Sequence, residues 1–391
     1  MCFPTGHVPS PSKVVGCGGT QGFDPEHRFE PSPEHYGLRP LDFPLLVPAE
    51  YLLMDDQEYR ENITVQYCFP ENNASCIKES KDDTGYFFLC FFLSCVSVCT
   101  VFLNLLVIIS ISHFKQLHTP TNLIILSLAV ADFLVGMFYM PADIMQLMDS
   151  CWYLGTIACF MSPIISFVAM YGSLYSLILI AVDRYIAITD PLQYSTRITV
   201  RKTLLSIILG WCFYLCYTIL YLYFNDYFLQ PQLSHCYGEC ILVVKYYWAI
   251  IDLVVAFLAP CCVILVLYSI IFKVARHQAK AISAMKNGAS NKNGVTMLRS
   301  SEIKAAKKLG VVIFVYLACW IPYYISSVSV NNLTSSSMVW NVFGWLLDFN
   351  SSMNPLIYAI FYSWFKASVK YIVTCRIFET SSSRLNLFSE H

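Results

Sequence analysis

Asn350-Ser351-Ser352-Met353-Asn354-Pro355-Leu356-Ile357-Tyr358-Ala359-Ile360-Phe361-Tyr362-Ser363-Trp364-Phe365 closes the last long apolar run of this chain. A bilayer span is ordinarily Leu, Ile, Val and Phe. This one carries two Asn four residues apart, hence on one helical face, together with a proline and two tyrosines. Polar groups and a helix breaker are costly at membrane depth and are kept where they serve function or packing. A kinked helix that is purely structural is the plain alternative, and the rest of the chain weighs against it.

Composition points the same way. The 391 residues are 56% hydrophobic and only 13% charged, with mean hydropathy +0.54, where a soluble domain is about a quarter charged. Seven apolar runs, near 86–112, 121–147, 156–182, 203–224, 245–272, 305–329 and 338–362, are each long enough to cross about 30 Å of hydrocarbon. The expected fold is an all-α membrane protein, a seven-transmembrane-helix bundle (86–362). Before it lies a tail (1–85), and after it a short amphipathic segment, Trp364–Thr374, and a cytoplasmic tail (363–391). The first, third and fifth links and the final tail hold the Lys and Arg residues, among them Arg197, Arg201, Lys273, Arg276, Lys366 and Lys370. Basic links stay in the cytoplasm, so the N-terminus is expected outside the cell. Net charge is −1 and says nothing in favour of nucleic acid. No nucleophile elbow, metal cluster or phosphate loop suggests an enzyme, and no inverted repeat suggests a transporter.

The tail agrees with that sidedness. Asn62-Ile-Thr and Asn73-Ala-Ser are glycosylation acceptors on the outer side, and Asn332-Leu-Thr lies in the last outer loop. Asn350-Ser-Ser matches the pattern inside a span and is set aside. Residues 1–53 hold no apolar secretory core. They read either as a disordered extracellular tail or as an upstream extension of the gene model, with Met54 as the natural start. Of seventeen Cys, those expected outside are Cys68, Cys76, Cys151, Cys159, Cys236 and Cys240, and only these face an oxidising compartment. Cys375, after the amphipathic segment, is either a lipid-anchor site or a free thiol.

Landmarks along the spans carry a resemblance. They are Asn104, Leu126-Ser-Leu-Ala-Val-Ala-Asp132, Asp183-Arg184-Tyr185, Trp211, Pro260 with Tyr268, Cys319-Trp320-Ile-Pro322, and the closing motif. In this order they resemble a rhodopsin-like G-protein-coupled receptor, although Leu103 stands where a Gly is common. The closing motif and Cys236-Tyr-Gly-Glu-Cys240 resemble the trace-amine-associated receptors. That resemblance implies bridges Cys159–Cys240 and Cys76–Cys236. It implies a plasma-membrane receptor for small amines that couples to a heterotrimeric G protein, of a cyclic-AMP-raising type, with an olfactory role. It implies that Arg184, beside Asp183 and Tyr185, pairs with Glu302 to hold span six inward, and that Tyr268 and Tyr358 fill the space after opening. It also places Ser173, Asn350, Ser351 and Asn354 around Asp132. Those oxygens suit an allosteric sodium ion; the alternative is a protonated Asp132 bonded to Asn354. No other cofactor is expected. A retinal protein is excluded, because no Lys lies between Met338 and Tyr362 and Asp348 holds the Schiff-base position.

The ligand site departs from the commonest pattern. Amine receptors carry an Asp seventeen residues before the Asp of Asp183-Arg184-Tyr185, and here that residue is Ser166. Asp252, two turns outward of Pro260, resembles the fish-type branch in which the amine-pairing Asp sits on span five. A carboxylate at that depth needs a partner, and no Lys or Arg lies deep in any span, so a ligand ammonium is the candidate. The alternative is a neutral Asp252 bonded to a neighbouring Ser or Tyr. Asp348, seven residues before Pro355, is a second carboxylate that faces Ser166, which favours a diamine or polyamine; alternatively it joins the polar cluster one turn below. Asp143 binds a third charge or faces water. Phe167, Met170, Trp320, Tyr323, Tyr324 and Trp345 supply walls whose aromatic faces attract ammonium groups. A receptor for a non-amine ligand, with Asp252 and Asp348 structural, is the rival.

Overall fold

Helices built almost wholly of apolar residues account for most of the chain. The computed structural model describes residues 65–78, 84–228, 236–240, 242–286, 310–326, 338–379, 382–384 and 387. Helix α1 is Thr84–His113. Helix α2 runs from Pro120–Leu134 through a π-helical turn, Val135–Tyr139, into Met140–Asp149. Helix α3 is Gly155–Thr189 and α4 is Val200–Phe224. Helix α5 runs from Tyr246–Asp252 through a second π turn, Leu253–Leu258, into Ala259–Lys286. Then come α6, Gly310–Ser326, α7, Met338–Phe361, and α8, Ser363–Val373. Helices α1 to α5 are long and apolar enough to cross a membrane. Phe87, Phe88, Phe91 and Phe92 on α1 point outward, as expected of a helix solvated by lipid instead of water.

Local chemistry sets the helix ends. Thr119 caps α2, accepting from the Asn122 amide at 3.3 Å, with Pro120 at the first helical position. Thr199 caps α4 in the same way through the Lys202 amide at 3.4 Å. Each π turn ends two residues before a proline, Pro141 in α2 and Pro260 in α5. Proline lacks an N–H and its ring crowds the carbonyl four residues back. One extra residue in the preceding turn absorbs both problems. That extra residue also rotates what lies beyond it by about 100°. The apolar runs do not signal either turn. Helices α3 and α5 also outrun the expected spans, to Thr189 and Lys286 instead of 182 and 272, because a helix continues into water after the hydrocarbon ends.

Helix α3 is the axis of the bundle, packing on α2, α4 and α5, while α7 packs on α1 and α2, and α8 folds back on α1. Trp211 on α4 donates to Ser127 Oγ at 3.0 Å, Ser127 pairs with Ser176 at 3.0 Å, and the Trp211 ring lies over Gly172. Three helices are thereby joined at one point. Asn104 Nδ2 donates to the Thr100 and Ser351 carbonyls at 3.0 and 3.1 Å, bracing α7 one turn before its proline. At Gly210 an added Cβ would lie 2.0 Å from Tyr175 Cε1, while the Tyr175 hydroxyl donates to the Ser206 carbonyl at 3.1 Å. Gly210→Ala is therefore expected to drive the Tyr175 ring off α4 at a cost of about 1–3 kcal/mol. Thermal unfolding of the purified protein checks this, and an unchanged midpoint would show that the ring moves aside freely.

Candidate functional site

The segment 65–78 and the loop 236–240 form a cap over the ends of α2 and α3. Cys76 bonds Cys236 and Cys159 bonds Cys240, with Cα separations of 4.9 and 5.8 Å. A third bridge, Cys68–Cys151 (Cα separation 5.7 Å), joins two cysteines that the sequence places on the same side but leaves without partners. Backbone bonds complete the cap: Cys76 N to Tyr237 O at 2.9 Å, Tyr237 N to Ala74 O at 2.6 Å, and Trp152 N to Gly238 O at 2.9 Å. Gly238 has φ +99°, and a Cβ there would meet the Phe69 ring at 2.9 Å, so only glycine suits this turn. Asn73 is exposed on the cap; Asn62 and Asn332 lie outside the described residues.

Beneath the cap, Asp252 is the last α-helical residue before the π turn of α5, and only 8% exposed. Tyr171 of α3 donates to its Oδ1 at 2.6 Å and Tyr217 of α4 to the same oxygen at 3.2 Å. Tyr324 of α6 donates to Oδ2 at 3.4 Å. Sequence reasoning named Tyr324 but missed Tyr171 and Tyr217, which differ in no visible way from the other tyrosines of their helices. Around this carboxylate lies a continuous aromatic wall. Phe257 stacks on Tyr324 with centroids 4.3 Å apart, Tyr316 on Trp320 at 5.0 Å, and Tyr323 meets Tyr324 edge-on at 5.5 Å. Phe167 lies on the α4 side, against Tyr171 and Tyr221. Trp345 packs against the cluster of Cys90, Leu93, Ile144 and Leu147 from α1 and α2. Ser166 turns its hydroxyl to the Ser162 carbonyl at 2.7 Å. The nearest cation along α5, Lys245, is at the helix start, paired with Asp226 and donating to the Phe224 carbonyl at 2.9 Å.

Asp348 on α7 is 1% exposed, and neither carboxylate oxygen meets a hydrogen-bond partner among the described residues. It lines a small cavity with Met170, Trp320, Ser173, Asn350 and Ser351. One turn inward, Asp132 is fully buried. Asn354 Nδ2 donates to its Oδ2 at 2.7 Å and Ser173 Oγ to its Oδ1 at 3.3 Å. The side-chain oxygens of Asn350 and Asn354 have no donor among the described residues. Four oxygen-bearing side chains, two orphaned carbonyls and an adjoining cavity suit a small hard cation.

At the opposite end, Arg184 donates to Asp183 Oδ2 through Nε at 3.0 Å and Nη2 at 2.5 Å, and to Thr121 Oγ1 at 2.7 Å. Asp183 also accepts from Thr121 at 2.8 Å and from Tyr194 at 2.7 Å. Tyr185 packs with Ile188, Ile271 and Tyr268. The Tyr268 ring faces Gly310 across the bundle. The hydroxyls of Tyr268 and Tyr358 are buried with no partner among the described residues. Glu302 lies outside them, so its pairing with Arg184 remains an expectation. Exposed Cys375 follows α8 in the left-handed conformation, φ 57°.

A helical bundle with a buried polar cluster around Asp132 from α2, α3 and α7, and Asp-Arg-Tyr at the end of its axial helix, is the arrangement of a membrane receptor. The model of the 7 transmembrane receptor (rhodopsin family) matches residues 103–358. Trace amine-associated receptor 13c of Danio rerio is 38% identical over 343 residues, 86% of this chain and 99% of that protein. Trace amine-associated receptor 6 of Homo sapiens is 39% identical over 338 residues, 84% of this chain and 97% of that protein. Trace amine-associated receptor 9 of Mus musculus is 39% identical over 334 residues, 83% and 96% respectively. The chain belongs to the trace amine-associated receptors, a receptor family and not an enzyme family, within the rhodopsin-type seven-helix class.

Proposed function

We propose that this receptor binds a small amine at Asp252, with a diamine or polyamine favoured over a monoamine. Asp252 carries the proposal. It is a buried carboxylate in an aromatic cage, with no basic side chain deep in any span to balance it. The resting carboxylate is satisfied by three tyrosine hydroxyls from three helices. An ammonium that displaces one of them reports its arrival to the helix that carries it, α3, α4 or α6. Asp348, unpartnered and buried, supports a second positive group on the same ligand. Asp132, Ser173, Asn350, Ser351 and Asn354 would hold a sodium ion, which would supply a positive charge between α2, α3 and α7. Three disulfides, which persist only in oxidising surroundings, support an extracellular N-terminus and residence in the plasma membrane. Family membership supports coupling to a heterotrimeric G protein, of a cyclic-AMP-raising type, and an olfactory role. A panel of mono-, di- and polyamines against carboxylates and peptides, read by a cyclic-AMP reporter, tests the reading. A response to carboxylates or peptides with none to amines overturns it.

For activation, Arg184 is proposed to be restrained by Glu302. Glu302→Ala is expected to raise ligand-free signalling several-fold at equal surface expression, because removing the partner lets α6 swing outward more often. Unchanged basal signalling would remove this lock.

A further inference from the structure

We propose that the three tyrosines on Asp252 divide its work. Tyr171 and Tyr217 are positioning residues that hold Oδ1, while the ligand's ammonium takes Oδ2, displaces Tyr324 and so unties α6. The inference rests on the amine reading given above for Asp252 and goes beyond it by naming the receiving oxygen and the helix released.

The count of acceptor sites carries it. A carboxylate oxygen has two lone pairs. Oδ1 accepts from Tyr171 at 2.6 Å and from Tyr217 at 3.2 Å, which uses both. Oδ2 accepts from Tyr324 alone among the described residues, at 3.4 Å. The Tyr171 bond has the length of a charge-assisted O–H···O⁻ contact, whereas the Tyr324 bond exceeds the ~3.0 Å limit of an ordinary O–H···O one. Oδ2 is therefore the oxygen with a lone pair open to an incoming N–H, and its existing bond is the weakest of the three.

Ring packing keeps the division in place. Tyr171 is 2% exposed; it stacks on Phe167 at 5.9 Å and on Tyr214 at 5.4 Å, and meets Tyr217 edge-on at 5.6 Å. Tyr217 in turn stacks on Tyr221 at 6.3 Å. Rings packed in this way hold their hydroxyls on Oδ1, so α3 and α4 together aim the carboxylate. On the other side, Tyr324 stacks on Phe257, a residue of the α5 π turn, at 4.3 Å, and on Trp320 at 6.0 Å. An ammonium on Oδ2 thus arrives beside the Tyr324 ring, where an aromatic face adds to the pull of the carboxylate. Among the described residues, Asp252 is hydrogen-bonded to α6 only through Tyr324. Displacing that hydroxyl removes a tether between α5 and α6 while the bonds to α3 and α4 stay. A ligand that binds the untied state better than the tied one shifts the receptor toward it.

The test uses the full-length receptor in cells, with straight-chain monoamines and diamines as probes. Each tyrosine is changed to Phe, which deletes one hydroxyl and keeps the ring. Tyr171→Phe is expected to lower amine potency about tenfold, and Tyr217→Phe several-fold because its bond is longer, since a carboxylate without its donors no longer presents Oδ2 in one direction. Tyr324→Phe is expected to act with the opposite sign. Ligand-free signalling should rise several-fold at equal surface expression, and amine potency should stay level or rise, because the ammonium has no bond left to displace. Three equivalent structural bonds would instead give losses in all three variants. Lowered potency or unchanged ligand-free signalling in Tyr324→Phe overturns the release, and unchanged potency in both Tyr171→Phe and Tyr217→Phe overturns the positioning. Thermal unfolding of purified receptor reads binding apart from signalling. A straight-chain diamine is expected to raise the midpoint of Tyr324→Phe at least as much as that of the unaltered receptor, and that of Tyr171→Phe less. The reverse order overturns the assignment of the oxygens. Failure of the Asp252 reading shows elsewhere, as a full amine response in Asp252→Asn.

Discussion

Asp252→Ala is expected to reduce amine potency by roughly two to three and a half orders of magnitude, because removing one member of a desolvated charge pair typically costs about 3–5 kcal/mol. The argument turns on what the carboxylate does without ligand. Tyr171, Tyr217 and Tyr324 already donate to it, so the residue also joins α5 to α3, α4 and α6. Alanine removes both roles and confuses them. Asp252→Asn separates them. The amide keeps an oxygen that can accept from the tyrosines and keeps the side-chain size, but it carries no charge for an ammonium. If Asp252 is the amine partner, Asn should lose nearly as much potency as Ala at close to normal surface expression. If it is only a structural acceptor, Asn should signal normally. Dose–response curves normalised to surface protein decide between them.

What could be seen in the sequence, and what could not, divides along physical lines. Seven apolar runs fix the helices because the bilayer demands length and hydrophobicity, and both are one-dimensional properties. In the Asp132 cluster, Asp132, Asn350 and Asn354 are legible as polar residues in apolar runs, whereas Ser173 and Ser351 enter only through the family resemblance. Asp252 and Asp348 stood out as those first three did. Tyr171 and Tyr217 did not. A tyrosine suits a lipid-facing, core or ligand-facing position equally, and only the packing of α3 against α4 and α5 turns these two toward Asp252. The π turns were hidden too. Pro141 and Pro260 announce a disturbance in the helix, but not whether it becomes a kink or a widened turn. That choice decides which way the outer part of α2, with Asp143, is turned. The Cys68–Cys151 bridge belongs to a third kind. The six cysteines were sorted to the correct face by topology, but pairing depends on which chain segments fold side by side, and here that is set by the backbone bonds of 65–78 with 236–240.

Cys159→Ser is expected to lower surface expression and thermal stability far more than Cys68→Ser, although each removes one bridge. The two close similar chain lengths, 81 and 83 residues, so the loop-entropy contribution is nearly the same for both, about 4.5 kcal/mol. What differs is what remains afterwards. The segment 65–78 stays attached when Cys68 is lost. The Cys76–Cys236 bridge and the bonds Cys76 N to Tyr237 O and Tyr237 N to Ala74 O still hold it. Cys159–Cys240 instead joins the first turn of α3, the axis of the bundle, to the loop that carries Cys236. Its backup is slight: the Gln146 amide to the Cys240 carbonyl at 3.2 Å and the Trp152 amide to the Gly238 carbonyl. Without it, loop and cap are left hinged on the ends of α1 and α2, and the mouth above Asp252 loses its fixed shape. Amine potency should therefore fall in Cys159→Ser receptors that do reach the surface, and change little in Cys68→Ser. Equal losses in the two variants would mean that the cap is held as one unit by all three bridges, and normal expression of Cys159→Ser would mean that the α3 attachment carries no weight.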